Sequence, residues 1–306
     1  MGSAQSVWEI NGKILERRAA VLTEAEIREA LRAGADPAAL PLDVAVVAFG
    51  AGFRGSAAML LVPVAGRGVF TRAEKITLNG VPAYPGPAPN ERLGVVDALV
   101  FADQTLEGQA AGTFPGEKLL LDFLSDMEIQ AECRSAEGGL YRNAFTRAQL
   151  EFARFVSYNT FLPDRLQAPE DCPAALAMLR PGSKVLLNRS PGIIVGSGTR
   201  SRPGRMSLSL SADMLEMDRR CLDRDGEVAL SVVIPIPVVD AEVKRCLCAA
   251  LDRLPARLIP ALDQEMAAYL KGLILDGSFN LTESSLPLRG FECRENPGGG
   301  KAAFEA

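Results

Sequence analysis

The chain has 306 residues, 48% of them hydrophobic and 23% charged, and its 33 basic and 38 acidic side chains leave a formal charge of −5. That length allows one large or two ordinary domains, and the acidic balance argues against a general binder of nucleic acid or of acidic membrane surfaces. There is no histidine, which removes Ser-His-Asp and Cys-His catalysis, His-ligated metals and imidazole acid–base chemistry.

No apolar run approaches the roughly 18 residues needed to span a bilayer. The opening MGSAQSVWEI lacks the basic segment and apolar core of a secretory leader. The expectation is a cytoplasmic protein with no membrane and no nucleic-acid partner. Six cysteines, Cys133, Cys172, Cys221, Cys246, Cys248 and Cys293, are scattered without a C-x-x-C pair. Reduced buried thiols are expected rather than a disulfide framework or a zinc site, and no bound metal or cofactor.

In chain order, residues 7–18 read as a short helix carrying Trp8, Ile10 and Ile14. Thr23 and Glu26 form a capping-box pattern for the next helix, which Gly34 closes. Asp43–Phe49 is a continuous apolar run that fits a strand buried on both faces. It empties into Gly50-Ala51-Gly52-Phe53-Arg54-Gly55-Ser56, after which Ala57–Val64 resumes the apolar pattern. Gly50, Gly52 and Gly55 match G-x-G-x-x-G literally, but nothing after them reads as the helix a dinucleotide site needs. Asn79-Gly80 signals a tight turn. Leu93–Phe101 and Glu128–Cys133 read as strands around a helix over Glu117–Ser125. Ala136–Arg142 reads as a glycine-containing loop, and a helix is expected from Phe145 or Thr146 to about Thr160. A linker over 161–173 and a small helix over Pro173–Leu179 follow. Met206–Leu210 and Glu227–Val239 read as strands, Asp240 as the cap of a helix to about Leu254, and Ala261–Leu275 as the last helix.

The expected class is α/β: a mixed or mostly parallel sheet covered by helices, with glycine-rich loops at strand ends. An N-terminal part over 7–160 and a second part over 174–280 would form one compact catalytic unit, with 294–306 as a flexible tail.

Lys184–Arg205, KVLLNRSPGIIVGSGTRSRPGR, has the most chemical character. An apolar strand breaks into Gly196-Ser197-Gly198-Thr199 and then Arg200, Arg202 and Arg205. Glycines let backbone N–H groups approach a ligand, and guanidinium forks bind carboxylate, sulfonate or phosphate. A buried strand, an ordinary glycine turn and a solvated basic face explain the same letters.

Five segments, in order and with similar spacing, resemble one family: SVWEINGKILERRAAVLTEAEI, DVAVVAFGAGFRGSAAML, KITLNGVPAYPG, GIIVGSGTRSRPGR and VALSVVIPIPVVDAEV. The family is the one once called DUF39, the homocysteine-biosynthesis (aspartate-semialdehyde sulfurtransferase) proteins of methanogens and anaerobic bacteria. The resemblance implies sulfur insertion into an aldehyde such as aspartate semialdehyde, and reduction to a thiol. A related branch is associated with coenzyme M formation from sulfoacetaldehyde. It further implies a cysteine persulfide or free sulfide as sulfur donor, and an external reductant such as a small ferredoxin-like partner.

The departures are specific. Phe53 or Arg54 stands where the family's glycine loop carries a cysteine. Leu140 stands at the second cysteine position, before Tyr141, and Cys133 lies several residues upstream as its stand-in. Arg202 lies near the place of the family's histidine. The candidate site is therefore Cys133 as the catalytic thiol, with Gly50, Gly52, Arg54, Gly55, Ser56, Asn79, Tyr141, Arg142, Gly196, Ser197, Gly198, Thr199, Arg200 and Arg202 binding a small anionic substrate. Two readings stay open: a thiol-forming enzyme fed by sulfide or by a partner's persulfide, and a catalytically degenerate binding or scaffold subunit beside a related sulfurtransferase. Either fits a homo- or hetero-oligomer.

Overall fold

Two capping boxes set the start of the chain. Ser6 accepts the Glu9 N–H and Glu9 reaches back to the Ser6 N–H, opening α1 (Val7–Leu15). Thr23 and Glu26 do the same for α2 (Glu24–Arg32), as the S/T-x-x-E pattern requires. The computed structural model describes residues 4–86, 89–104, 114–163, 166, 179–202, 205–224, 227–252 and 259–281. The expected tail, most of the expected linker and nearly all of the expected helix over Pro173–Leu179 lie outside these.

The remaining helices are α3 (Pro115–Leu124), α4 (Ala241–Asp252) and α5 (Ala261–Leu275). The strands of the first half are β1 (Val21–Thr23), β2 (Val44–Gly52), β3 (Ser56–Pro63), β4 (Ala73–Leu78), β5 (Val81–Pro85), β6 (Val95–Phe101), β7 (Ile129–Ser135), β8 (Leu140–Phe145) and β9 (Ala153–Phe161). Those of the second half are β10 (Lys184–Leu187), β11 (Ser190–Ser197), β12 (Ser207–Asp213), β13 (Leu222–Arg224) and β14 (Glu227–Pro237). They form one sheet in the order β1-β2-β14-β10-β11-β12-β9-β3-β6-β5-β4-β7-β8, with β13 beside β14.

The sheet is mixed, with helices packed on it, but it is not mostly parallel. Among the described pairings only β1 with β2 is parallel. β2 runs antiparallel to β14 over nine register pairs, from Gly52↔Ala229 to Val44↔Pro237. Burial on both faces suggested a parallel sheet, and helices on both sides produce the same burial here. Val44, Val46 and Ala48 face a core shared with Ile10 and Ile14 of α1 and Met266, Leu270 and Ile274 of α5. Ala45, Val47 and Phe49 face the main core, with Leu247 and Leu251 of α4 and Leu120 and Phe123 of α3.

Two further elements depart from expectation. The helix expected to run to Thr160 is a single 3-10 turn, Arg147–Gln149, followed by β9. Gln149 turns back to accept the Thr146 N–H at 2.7 Å, so the capping pattern forms but caps only that turn. Beyond it Ala153, Phe155 and Ser157 are buried at every second position, a strand period. Leu140–Arg142, expected in a loop, begins β8.

The sheet curls far enough for β2 to touch β9, which is not its neighbour in strand order. Phe53, just past β2, meets Phe155 of β9 edge-on at 6.1 Å. Among the described residues no helix is long and apolar enough to cross a membrane.

Candidate functional site

The curl leaves a cavity of about 480 Å³ beside Phe53, lined by Gly50, Ala51, Gly52, Arg54, Gly55, Asp103, Phe114, Asn159, Thr160, Phe161 and Arg200. The first glycine-bearing segment singled out in the sequence supplies Gly50–Gly55, the second supplies Arg200, and β9 supplies Asn159, Thr160 and Phe161. Gly50 and Gly52 lie within β2, and Gly196 and Ser197 within β11, so these glycines are part of the sheet. Gly55 has φ +76° in the turn before β3. Ser56 starts β3 rather than a helix, so the literal G-x-G-x-x-G has no dinucleotide-binding architecture.

Two β-bulges at one level of the sheet bring the segments together. Between Leu208↔Thr160 and Leu210↔Ser157, β9 spends two residues, Tyr158 and Asn159, opposite Ser209 alone. Between Ile194↔Leu210 and Gly196↔Ser209, β11 spends an extra residue, Val195. Bulges re-aim side chains, and Asn159 is the side chain that matters here. Its Oδ1 accepts from the Thr199 hydroxyl at 2.9 Å and the Arg200 N–H at 2.8 Å. The Tyr158 N–H donates to the Gly55 carbonyl at 2.7 Å, and the Tyr158 carbonyl accepts the Thr199 N–H at 3.0 Å. Gly198 is required by this packing: a Cβ there would lie 2.2 Å from Ser207 Oγ and 2.8 Å from the Tyr158 carbonyl.

The charged lining is mostly committed. Arg54 lies 3.8 Å from the Glu117 carboxylate and 4.6 Å above the Phe114 ring. Asp103 Oδ2 accepts the Gly55 N–H at 2.9 Å. Arg205 sits 4.3 Å above the ring of Phe161, behind the wall. The Arg200 guanidinium has no hydrogen-bond or ion-pair partner among the described residues, although its backbone is pinned by Asn159. The site can thus offer a fixed cation, aromatic walls and glycine backbone to a small acidic ligand.

The other expected site residues lie apart from the lining. Ser56 is buried and its hydroxyl donates to the Phe53 carbonyl. Thr199 braces Asn159, and Arg202 faces Arg205 in a two-residue bridge. Asn79 sits in the β4–β5 turn at φ +49°, its Oδ1 accepting the Gln130 N–H at 2.8 Å. Tyr141 stacks on Phe70 at 5.2 Å. Arg142 pairs with Glu132 at 2.7 Å on the exposed β7–β8 ribbon. Cys133 is fully buried in β7, between Tyr141 of β8 and Ile76 of β4. Burial, and then the Glu91 carboxylate, push its thiol up to about 11. No cysteine lines the cavity among the described residues. Cys133, Cys221 and Cys248 are free thiols, while Cys246 is disulfide-bonded, contrary to the expectation that all would be reduced.

Sequence reasoning missed Asp103, Phe114, Asn159, Thr160 and Phe161. The signal for Asn159 lay across the sheet: glycines inside strands, as at Gly196, mark bulges.

The model of the family described as "Homocysteine biosynthesis enzyme, sulfur-incorporation" matches residues 19–163 and 169–265. An uncharacterized protein of Methanothermobacter thermautotrophicus is 31% identical over 275 residues, covering 78% of this chain and 63% of its own. An uncharacterized protein of Methanocaldococcus jannaschii is 28% identical over 261 residues, covering 73% of this chain and 65% of its own. The chain thus spans a little under two thirds of these relatives' length. No solved structure matches it. Every lining residue of the cavity lies inside the matched stretches, and the chain belongs to the family of homocysteine biosynthesis enzymes that incorporate sulfur.

Proposed function

We propose that the cavity between Gly50–Gly55 and Arg200 is where sulfur is incorporated into a small anionic aldehyde, giving a thiol as in homocysteine or coenzyme M formation. The observation that carries this reading is the meeting of both glycine segments, through Asn159, around one cavity that holds an uncommitted guanidinium. A volume of about 480 Å³ suits a small metabolite. Arg200 binds the acid group of the substrate, with Arg54 adding positive field from its place over Phe114. Residues 7–160 and 174–280 work as one catalytic unit in the cytoplasm. With no thiol among the described lining residues, sulfur arrives as free sulfide or on a partner's persulfide, and a ferredoxin-like partner supplies the reducing electrons.

Incubation with sulfide, a reductant and either aspartate semialdehyde or sulfoacetaldehyde tests this, with the thiol product read by mass spectrometry. Gly52→Leu is the matched control. Gly52 is one of the lining residues, a Cβ there meets nothing within 4 Å and its φ is ordinary, so the strand accepts a leucine at the cavity. Turnover is expected to fall to background in this variant at unchanged Tm. No thiol from the wild type, together with a stable complex with a related sulfurtransferase, would instead establish the scaffold reading.

Cys133 gives a separate expectation. A thiol held near 11 is almost wholly protonated at neutral pH, and the thiolate is the sulfur nucleophile. Cys133→Ala should leave thiol formation within about twofold of wild type, and iodoacetamide should not label Cys133 in the folded protein at pH 8. A Cys133→Ala enzyme without activity but with wild-type Tm would return the persulfide to this residue.

A further inference from the structure

Sulfur addition to an aldehyde needs protons moved at the carbonyl oxygen, and this inference rests on the reading above. We infer that Asp103 is the proton-transfer residue of the cavity, as well as the anchor of the Gly55 turn. Among the described lining side chains only Arg54, Asp103 and Arg200 ionise. A guanidinium does not release its proton in a protein. There is no histidine in the chain, and no lysine, tyrosine, cysteine or glutamate is among those lining residues. The carboxyl of Asp103 is therefore the one lining group that can both give and take a proton.

Its placement fits the task. Asp103 follows β6, where the Ala102 N–H donates to the Ser56 carbonyl at 2.9 Å and so fixes the strand end against the start of β3. Oδ2 accepts the Gly55 N–H at 2.9 Å. Oδ1 has no hydrogen-bond partner among the described residues, and Asp103 is one of the residues lining the cavity. One oxygen holds the turn and the other is left for the substrate. The acid group of the substrate goes to the Arg200 guanidinium, which leaves the Asp103 carboxyl for the carbonyl end.

The step balances without an oxidant or reductant. The Asp103 carboxylate takes a proton from hydrogen sulfide as sulfur forms the C–S bond and the carbonyl π bond opens, and passes that proton to the oxygen: R–CHO + H₂S gives R–CH(OH)SH. The carboxylate then takes the S–H proton and returns it to the departing hydroxyl, which leaves as water: R–CH(OH)SH gives R–CH=S + H₂O. The two-electron reduction to R–CH₂–SH belongs to the external electron donor.

The test separates proton transfer from anchoring. In Asp103→Asn the amide oxygen still accepts the Gly55 N–H, so the turn is held and only the proton is lost. Its kcat is expected to fall about 100- to 10,000-fold, with KM and Tm near wild type. Asp103→Ala loses both roles, and millimolar formate, a carboxyl placed in the vacated space, is expected to restore part of its turnover. Wild-type kcat in Asp103→Asn, or loss of kcat in both variants with no response to formate, would overturn the assignment. Thiol formation by the wild type is read in the same assay. If it is absent, the sulfur-incorporation reading falls and takes this one with it; if it is present and unchanged in Asp103→Asn, only the role of Asp103 falls.

Discussion

Arg200→Ala is expected to raise KM for an acidic aldehyde by about 30- to 150-fold, the equivalent of roughly 2–3 kcal/mol of lost charge-assisted hydrogen bonding. The side chain has no structural partner to lose among the described residues, and its backbone N–H stays on Asn159, so Tm should not move. The loss should be specific to charge. An uncharged aldehyde of the same length should react equally poorly with wild type and variant, and Arg200→Lys should recover part of the affinity because it restores a point charge but not the planar fork. Steady-state kinetics with the acidic and neutral aldehyde pair decides the matter. An unchanged KM for the acidic one in Arg200→Ala would remove Arg200 from the site.

The largest stability effect is expected at Asn188, in the β10–β11 turn. It is 1% exposed and stands at φ +42°. Its Oδ1 accepts the buried Ser231 N–H at 2.6 Å, and its Nδ2 donates to the carbonyls of Arg220 at 2.8 Å and Asp218 at 3.3 Å. One amide thus ties the hairpin turn to β14 and to the segment after β12. Asn188→Ala leaves the Ser231 N–H and two carbonyls short of a partner and puts a Cβ residue in the left-handed region without the side-chain hydrogen bonds that support it. The expected cost is about 3–5 kcal/mol, a Tm lower by on the order of 10 °C. Asn188→Gly should recover only the backbone part, about 1 kcal/mol. Asn188→Asp can still accept from Ser231 but cannot donate, and should fall between. Thermal denaturation of the three variants checks the order, and an Asn188→Ala protein melting with wild type would show that the turn is held by other means.

The features readable in the sequence are those whose physics is local. The Thr23–Glu26 box needs only four residues. Asn79-Gly80 forms its turn with both φ positive, as its dipeptide signal implies. The run Val44–Phe49 announces a two-sided burial that the structure contains. Direction and partnership were not local. Val44–Phe49 reads the same whether its neighbour runs with it or against it, and the neighbour is β14, far along the chain. At β9 the pattern Thr146-x-x-Gln149 looked like a helix start, and Phe155, Val156, Tyr158 and Thr160 carried the β-branched and aromatic signal that outweighs it. That error hid Asn159, the residue that joins the two glycine segments. The segments themselves stood out because glycine and arginine are chemically conspicuous, and their convergence depended on a bulge set by register across three strands.

The pairing of β2 with β14 also sets a timetable for synthesis. Val44 is opposite Pro237, so roughly 190 residues must follow the start of β2 out of the ribosome before its main partner exists. At about 5–20 residues per second in translation that is a wait on the order of 10–40 s. Throughout it the run Val44–Phe49 has only the three-residue β1 beside it. A β-rich apolar segment without its partner is the kind that associates between chains. Shielding of this one strand, by a chaperone or by the early helices α1 and α2, would keep it from such association until the C-terminal half arrives to close the sheet.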